Sequence, residues 1–155
     1  MNKPQKITAT ALAAFIASHF LRSYEEGSGF ACFRFCWGMM LGENGQVLSG
    51  GWFYYSGFVV ANTAFPILAL LLLRRQRTSR ATRAAAVVCW LQVFSWGAIN
   101  AVTAIRSPSE FANLGVGYYV WLAAFTLLAA AHFLKTPTSS EAPAPEQSAE
   151  LPQHT

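Results

Sequence analysis

Charge is the scarcest commodity in this sequence. Only 12% of its 155 residues are Asp, Glu, Lys or Arg, about half the share of a soluble domain. Eleven basic and seven acidic side chains are too few to cover a globule in water. Cysteine is scarce too, at three, which excludes a disulfide-stapled secreted scaffold. Disorder and collagen fall away because apolar residues make up 54% of the chain, rising to about 61% with glycine against roughly 45–50% in soluble domains. A membrane protein remains.

The apolar residues gather in four stretches, and the sequence predicts an all-α, four-helix transmembrane bundle over residues 1–135, with spans at about 7–22, 52–73, 84–105 and 117–134. Each approaches the roughly 20 residues that a helix needs to cross hydrocarbon. Helices are required because a bilayer offers no partner to unpaired backbone groups. A porin-like barrel would need alternating strands of about ten residues, and the run Leu68 to Leu73 does not alternate. Lys3 and Lys6 ahead of the first span also suit a secretory signal. No small-residue cleavage site precedes Glu25, and His19-Phe20 stands where one would be. An uncleaved helix is the expectation.

Basic residues set the orientation. With the N-terminus inside, the inner side holds Lys3, Lys6, Arg74, Arg75, Arg77, Arg80, Arg83 and Lys135, and the outer side only Arg22, Arg34 and Arg106. That bias places both termini in the cytoplasm and the chain in the plasma (inner) membrane. The Arg74–Arg83 cluster is thereby explained as a topology signal, with no nucleic-acid partner implied. Residues 136–155 hold four of the seven prolines and three glutamates, the composition of a disordered cytoplasmic tail.

The first outer loop is unusually aromatic. Phe30, Phe33, Phe35 and Trp37 lie close together there. An interfacial helix would put these rings at headgroup depth; a strand turning back at Asn44-Gly45 is the other arrangement. Met39-Met40 breaks the alternation of a strand, which favours a helical or irregular cap over the bundle. Gly50-Gly51 reads as a flexible turn into Trp52, Tyr54 and Tyr55, an interface belt matched by Tyr118, Tyr119 and Trp121.

Candidate chemistry is sparse. Cys32 and Cys36 share the outer loop, and on a helix that spacing permits a disulfide. The four-helix quinone-linked disulfide oxidases of bacterial membranes share this size and loop position. They differ in having a two-residue cysteine spacing and a second pair in the other outer loop; the only other cysteine here, Cys89, falls inside a span as small apolar packing. His19 and His132 fall within spans, but about 18 Å and 5 Å above the inner end at 1.5 Å per residue. A gap near 13 Å on that count rules out one haem between them. No acid or base lies in the middle of a span, which removes the usual proton relay of a pump. Asn62, Gln92 and Asn100 are polar residues that glue helices together or line a small cavity. Pro66 frees a carbonyl near Asn62 and marks a candidate hinge.

No cofactor or metal site is expected. The leading expectation is a non-enzymatic protein working by contact with another membrane protein, a copy of itself or lipid, as an accessory subunit or an immunity-type protein. One alternative is a thiol/disulfide redox or electron-transfer subunit using Cys32 and Cys36. The other is a small channel or uniporter with its path at Asn62, Gln92 and Asn100.

Overall fold

A computed structural model describes residues 2–42, 50–75, 78–106 and 114–134. The expected tail and the Asn44-Gly45 turn lie outside the described residues. The chain forms α1 (Lys3–Ser18), a small hairpin of β1 (Arg22–Tyr24) and β2 (Gly27–Ser28), then α2 (Gly29–Leu41), α3 (Gly50–Arg75), α4 (Arg80–Arg106) and α5 (Val116–Phe133).

Local chemistry sets the ends of these helices. Asn2 and Gln5 cap α1 reciprocally: Asn2 Oδ1 accepts from the Gln5 N–H at 3.1 Å and Gln5 Oε1 from the Asn2 N–H at 3.0 Å. This satisfies donors that the first turn leaves open. Ser28 Oγ caps α2 by accepting from the Ala31 N–H, and Gly42 closes it in the left-handed conformation, φ 79°. Ser79 Oγ accepts from the Thr82 N–H at 3.1 Å at the start of α4.

α3, α4 and α5 are long and apolar enough to cross a membrane. At 1.5 Å per residue they measure about 39, 40 and 27 Å against a core near 30 Å. Their outward faces are apolar: Val60, Val88 and Val102 are exposed on α3 and α4, and Phe133 on α5. Water would oppose such a surface, whereas lipid accepts it. The observed bounds lie within four residues of those expected for these three helices.

The first helix differs. It begins at Lys3, before the expected start at 7, and stops at Ser18 instead of running to 22. Its 16 residues rise only about 24 Å. The cause is non-local. Beyond His19 the backbone pairs across the hairpin, with the Phe30 N–H donating to His19 O at 2.9 Å and the Gly29 N–H to Leu21 O at 3.0 Å. A Cβ at Gly29 would collide with Ser18 O, so the start of α2 docks on the end of α1 only because glycine stands there.

α1, α3, α4 and α5 close a ring in which α1 packs on α5, α5 on α4, α4 on α3 and α3 on α1, while α2 lies against α3 and the hairpin. The core runs down the middle. Phe15, Phe65 and Phe125 join three helices, with the Phe15 and Phe65 rings stacked at 4.2 Å and Phe65 to Phe125 at 4.7 Å. Ala11, Ala61, Ala69 and Ala124 are buried around them and let the backbones approach. Cys89 is buried in the same core.

Two hydrogen bonds fix which ends meet. Gln5 Nε2 donates to Leu73 O at 3.1 Å, and Thr78 Oγ1 to His132 O at 3.1 Å. The start of α1, the end of α3, the start of α4 and the end of α5 therefore share one end, which carries Lys3, Lys6, Arg74, Arg80 and Arg83. At the other end the Gly115 N–H donates to Ser23 O at 3.0 Å, tying the hairpin to the start of α5.

Phe33, Phe35 and Trp37 are helical, since α2 is one continuous helix, as the favoured reading of the loop expected, and the strand alternative falls away. Two expectations need revision. Gly50-Gly51 forms the first residues of α3, with no turn. Tyr118 is 3% exposed, and its hydroxyl donates to Val93 O at 3.3 Å. Its aromatic ring serves the interior, where an interface belt was expected.

Candidate functional site

At the hairpin end, α2 and the hairpin roof over a half-open cavity of about 470 Å³. That volume lies within the range of roughly 300–1,000 Å³ typical of small-molecule sites. The roof contributes Tyr24, Phe35, Cys32 and Cys36, and the walls and floor include Phe58, Asn62, Trp96 and Trp121.

Trp96 organises the aromatic wall. Tyr24 meets it edge-to-face at 5.5 Å, Phe58 at 5.9 Å, and Tyr55 approaches tilted at 6.5 Å. Tyr54 stacks behind it at 6.2 Å. Phe35 of α2 closes on Tyr55 at 5.3 Å. These offset and perpendicular geometries suit the ring quadrupole. They tie α2, α3, α4 and the hairpin into one wall.

Most polar groups at the floor already have partners. Asn62 Nδ2 donates to Phe58 O at 2.8 Å, and its Oδ1 accepts from Trp121 Nε1 at 3.0 Å. Ser18 Oγ donates to Phe15 O. His19 Nδ1 lies 2.8 Å from Phe15 O; that carbonyl can only accept, so the proton sits on Nδ1. The surface offered to a ligand is therefore chiefly aromatic carbon.

The expected polar trio does not assemble. Asn62 alone of the three lines the cavity. Gln92 Nε2 donates to Tyr54 O at 3.1 Å, and its amide fills the space left by Gly57, where a Cβ would come within 2.8 Å. Asn100 Nδ2 donates to Trp96 O at 2.8 Å, eight residues and about 12 Å along the helix from Gln92. Below Asn62 the fully buried Phe65 and its stacked neighbours close the bundle. Pro66 sits within an unbroken α3.

Cys32 and Cys36 both line the roof, one turn apart on α2, and both are free thiols. Burial pushes the Cys32 thiol up, with the nearby Glu25 carboxylate adding to the effect. Burial, then the neighbouring Cys32, pushes Cys36 up to about 12. Thiol–disulfide exchange proceeds through the thiolate. Thiols held so firmly protonated are poorly placed for that chemistry.

His19 and His132 sit at opposite ends of the bundle: His19 lines the cavity, while His132 is buried beside Thr78 at the basic end. No group of three or more His, Cys, Asp or Glu with metal-binding geometry occurs among the described residues.

Sequence reasoning missed Tyr24, Glu25, Phe58, Trp96 and Trp121 as site residues. One signal was available. Trp96 and Trp121 carry indole N–H groups inside spans, where a polar group needs a partner, and Asn62 was the nearest candidate for one of them. Comparison of the chain with family models, with curated proteins and with solved structures returns no match.

Proposed function

We propose that this chain is a four-span protein of the plasma (inner) membrane, with both termini cytoplasmic, and that it acts by contact and without catalysis. In this reading the contact is with an apolar or amphipathic small molecule, or a lipid, held in the cavity beneath α2 on the outer side. One observation carries it: a cavity of about 470 Å³ walled by aromatic rings, with its one side-chain amide, Asn62, already hydrogen-bonded to the protein.

The span count rests on α1 packing against α5 and on its lysines sharing an end with Arg74, Arg80 and Arg83. A short first helix is compatible with crossing if the bilayer thins locally around it. The protonated thiols weigh against the redox alternative. The scattered Asn62, Gln92 and Asn100 amides, and the phenylalanines beneath Asn62, weigh against a continuous pore.

Bromobenzene, which quenches tryptophan emission on contact, tests the reading. With the protein in maltoside micelles, partitioning alone gives quenching linear in probe concentration. Occupation of the cavity adds a saturable phase reporting Trp96 and Trp121. Ala31 lines the cavity from an exposed position, so Ala31→Phe fills the cavity without disturbing the core and should abolish that phase. Linear quenching that is identical in both proteins would overturn the proposal.

A further inference from the structure

We propose that the ligand of this cavity is a quaternary ammonium group carrying an apolar substituent. The inference rests on the reading of the cavity as a binding site and adds its chemistry.

Three observations converge. First, the wall has the form of an aromatic cage. Tyr24 and Phe58 meet Trp96 with ring planes at 73° and 90°, so the rings present faces in different directions instead of stacking shut. Ring faces carry the negative end of the quadrupole, and cages of this kind hold quaternary ammonium groups.

Second, the cavity's formal charge is of one sign. Glu25 is the only Asp, Glu, Lys or Arg among the lining residues. The neighbouring Arg22 pairs with Glu26 at 3.6 Å. Glu25 itself has no ion pair among the described residues. Its backbone is also unusual: φ is 47°, a left-handed conformation that costs a non-glycine residue energy and persists only where surrounding structure imposes it. Here β1 and β2 impose it by pairing Arg22 with Ser28 and Tyr24 with Gly27. The result places Glu25 in the lining of the cavity, near enough to the Cys32 thiol to act on it electrostatically.

Third, the polar groups of the lining disfavour an anion, which would meet the Glu25 carboxylate and the ring faces, and the acceptor at the floor, Asn62 Oδ1, is already engaged by Trp121. A quaternary ammonium brings no donor and asks for no acceptor, whereas a primary ammonium would have to share the Glu25 carboxylate and His19 Nε2.

The same chemistry is offered by a choline lipid headgroup and by a free quaternary amine, and one experiment separates them. Benzyltrimethylammonium and its neutral carbon isostere neopentylbenzene are titrated into the full chain in maltoside, each by displacement of the saturable bromobenzene phase. The expected result is a preference for the cation of about tenfold, which corresponds to roughly 1.4 kcal/mol. Glu25→Gln changes an exposed side chain and should lose about three- to tenfold of the cation affinity, leaving neopentylbenzene unchanged. Trp96→Leu should lose more, and Glu25→Gln keeps the test valid if that variant does not fold.

The titration is then repeated in phosphatidylcholine and phosphatidylglycerol nanodiscs. Suppression of benzyltrimethylammonium binding in phosphatidylcholine alone supports a lipid headgroup as the source. Equal binding in both supports a free amine. Equal affinity for the cation and its isostere overturns this inference and leaves the cavity reading intact. Absence of any saturable bromobenzene phase overturns both.

Discussion

Replacing Phe65 by alanine tests the membrane assignment through the size of its effect. Phe65 is fully buried, stacked on Phe15 at 4.2 Å and tilted against Phe125 at 4.7 Å. In a water-soluble core, Phe→Ala costs about 3–5 kcal/mol, the sum of lost transfer from water and the cavity left behind. In a bilayer or micelle the unfolded helices remain in an apolar phase, so the transfer part largely vanishes. What remains is the void. If about 60–100 Å³ stays unfilled, at roughly 24 cal/mol per Å³ the loss is about 1.5–2.4 kcal/mol. The assay is reversible unfolding in mixed dodecylsulfate–maltoside micelles, followed by tryptophan emission. A loss near 2 kcal/mol supports the reasoning. A loss above about 4 kcal/mol would mean that unfolding carries this ring into water, and the bundle would not be a membrane domain.

Three further outcomes follow from particular contacts. A Cβ at Gly97 would collide with the Tyr118 hydroxyl, so Gly97→Ala should cost about 1–3 kcal/mol through overpacking. Tyr118→Phe in the same chain should restore part of that loss, and strict additivity in the double-mutant cycle would refute the contact. In a Cys32→Ala background the neighbouring thiol's contribution is gone, but burial, the larger cause, still raises Cys36. Its alkylation by iodoacetamide should still be climbing above about pH 10, because only the thiolate reacts. A plateau by about pH 10 would show an ordinary thiol. Asn62→Leu removes the acceptor 3.0 Å from Trp121 Nε1 and should cost about 0.6–2 kcal/mol, the range for polar contacts between membrane helices. Unfolding in mixed micelles measures it, and an unchanged midpoint would argue against that bond.

Most of the bundle was legible in the sequence, for a simple reason. Three long apolar runs, ending at Arg74, bounded by Arg83 and Arg106, and ending at Lys135, leave a helix little choice about where to lie, so α3, α4 and α5 match their expected spans closely. The end of α1 was not legible. Phe20 and Leu21 continue the apolar run, and what draws them from the helix is the pairing of residues 19–24 with residues 27–30 and the close approach of Gly29 to Ser18, both set by packing. The cavity was less legible still. A helix that is apolar all round has no face to read, so nothing local says that Trp96 and Trp121 turn inward while Val88 and Val102 turn out. Asn62 was identified as a candidate because a buried amide needs partners wherever it lies. Gln92 and Asn100 satisfied the same need with backbone carbonyls and did not join it.

The central claim is that the cavity end and the basic end lie on opposite faces of one membrane, with the cavity outside. Glu26 and Ala81 are exposed at those two ends and allow a direct measurement. In a chain whose Cys32 and Cys36 are replaced by alanine, Glu26→Cys and Ala81→Cys are compared for labelling by a membrane-impermeant maleimide in intact spheroplasts. The account predicts labelling of the Glu26→Cys variant in intact spheroplasts, and of the Ala81→Cys variant only after lysis. Labelling of both before lysis, or of the Ala81→Cys variant alone, would contradict it.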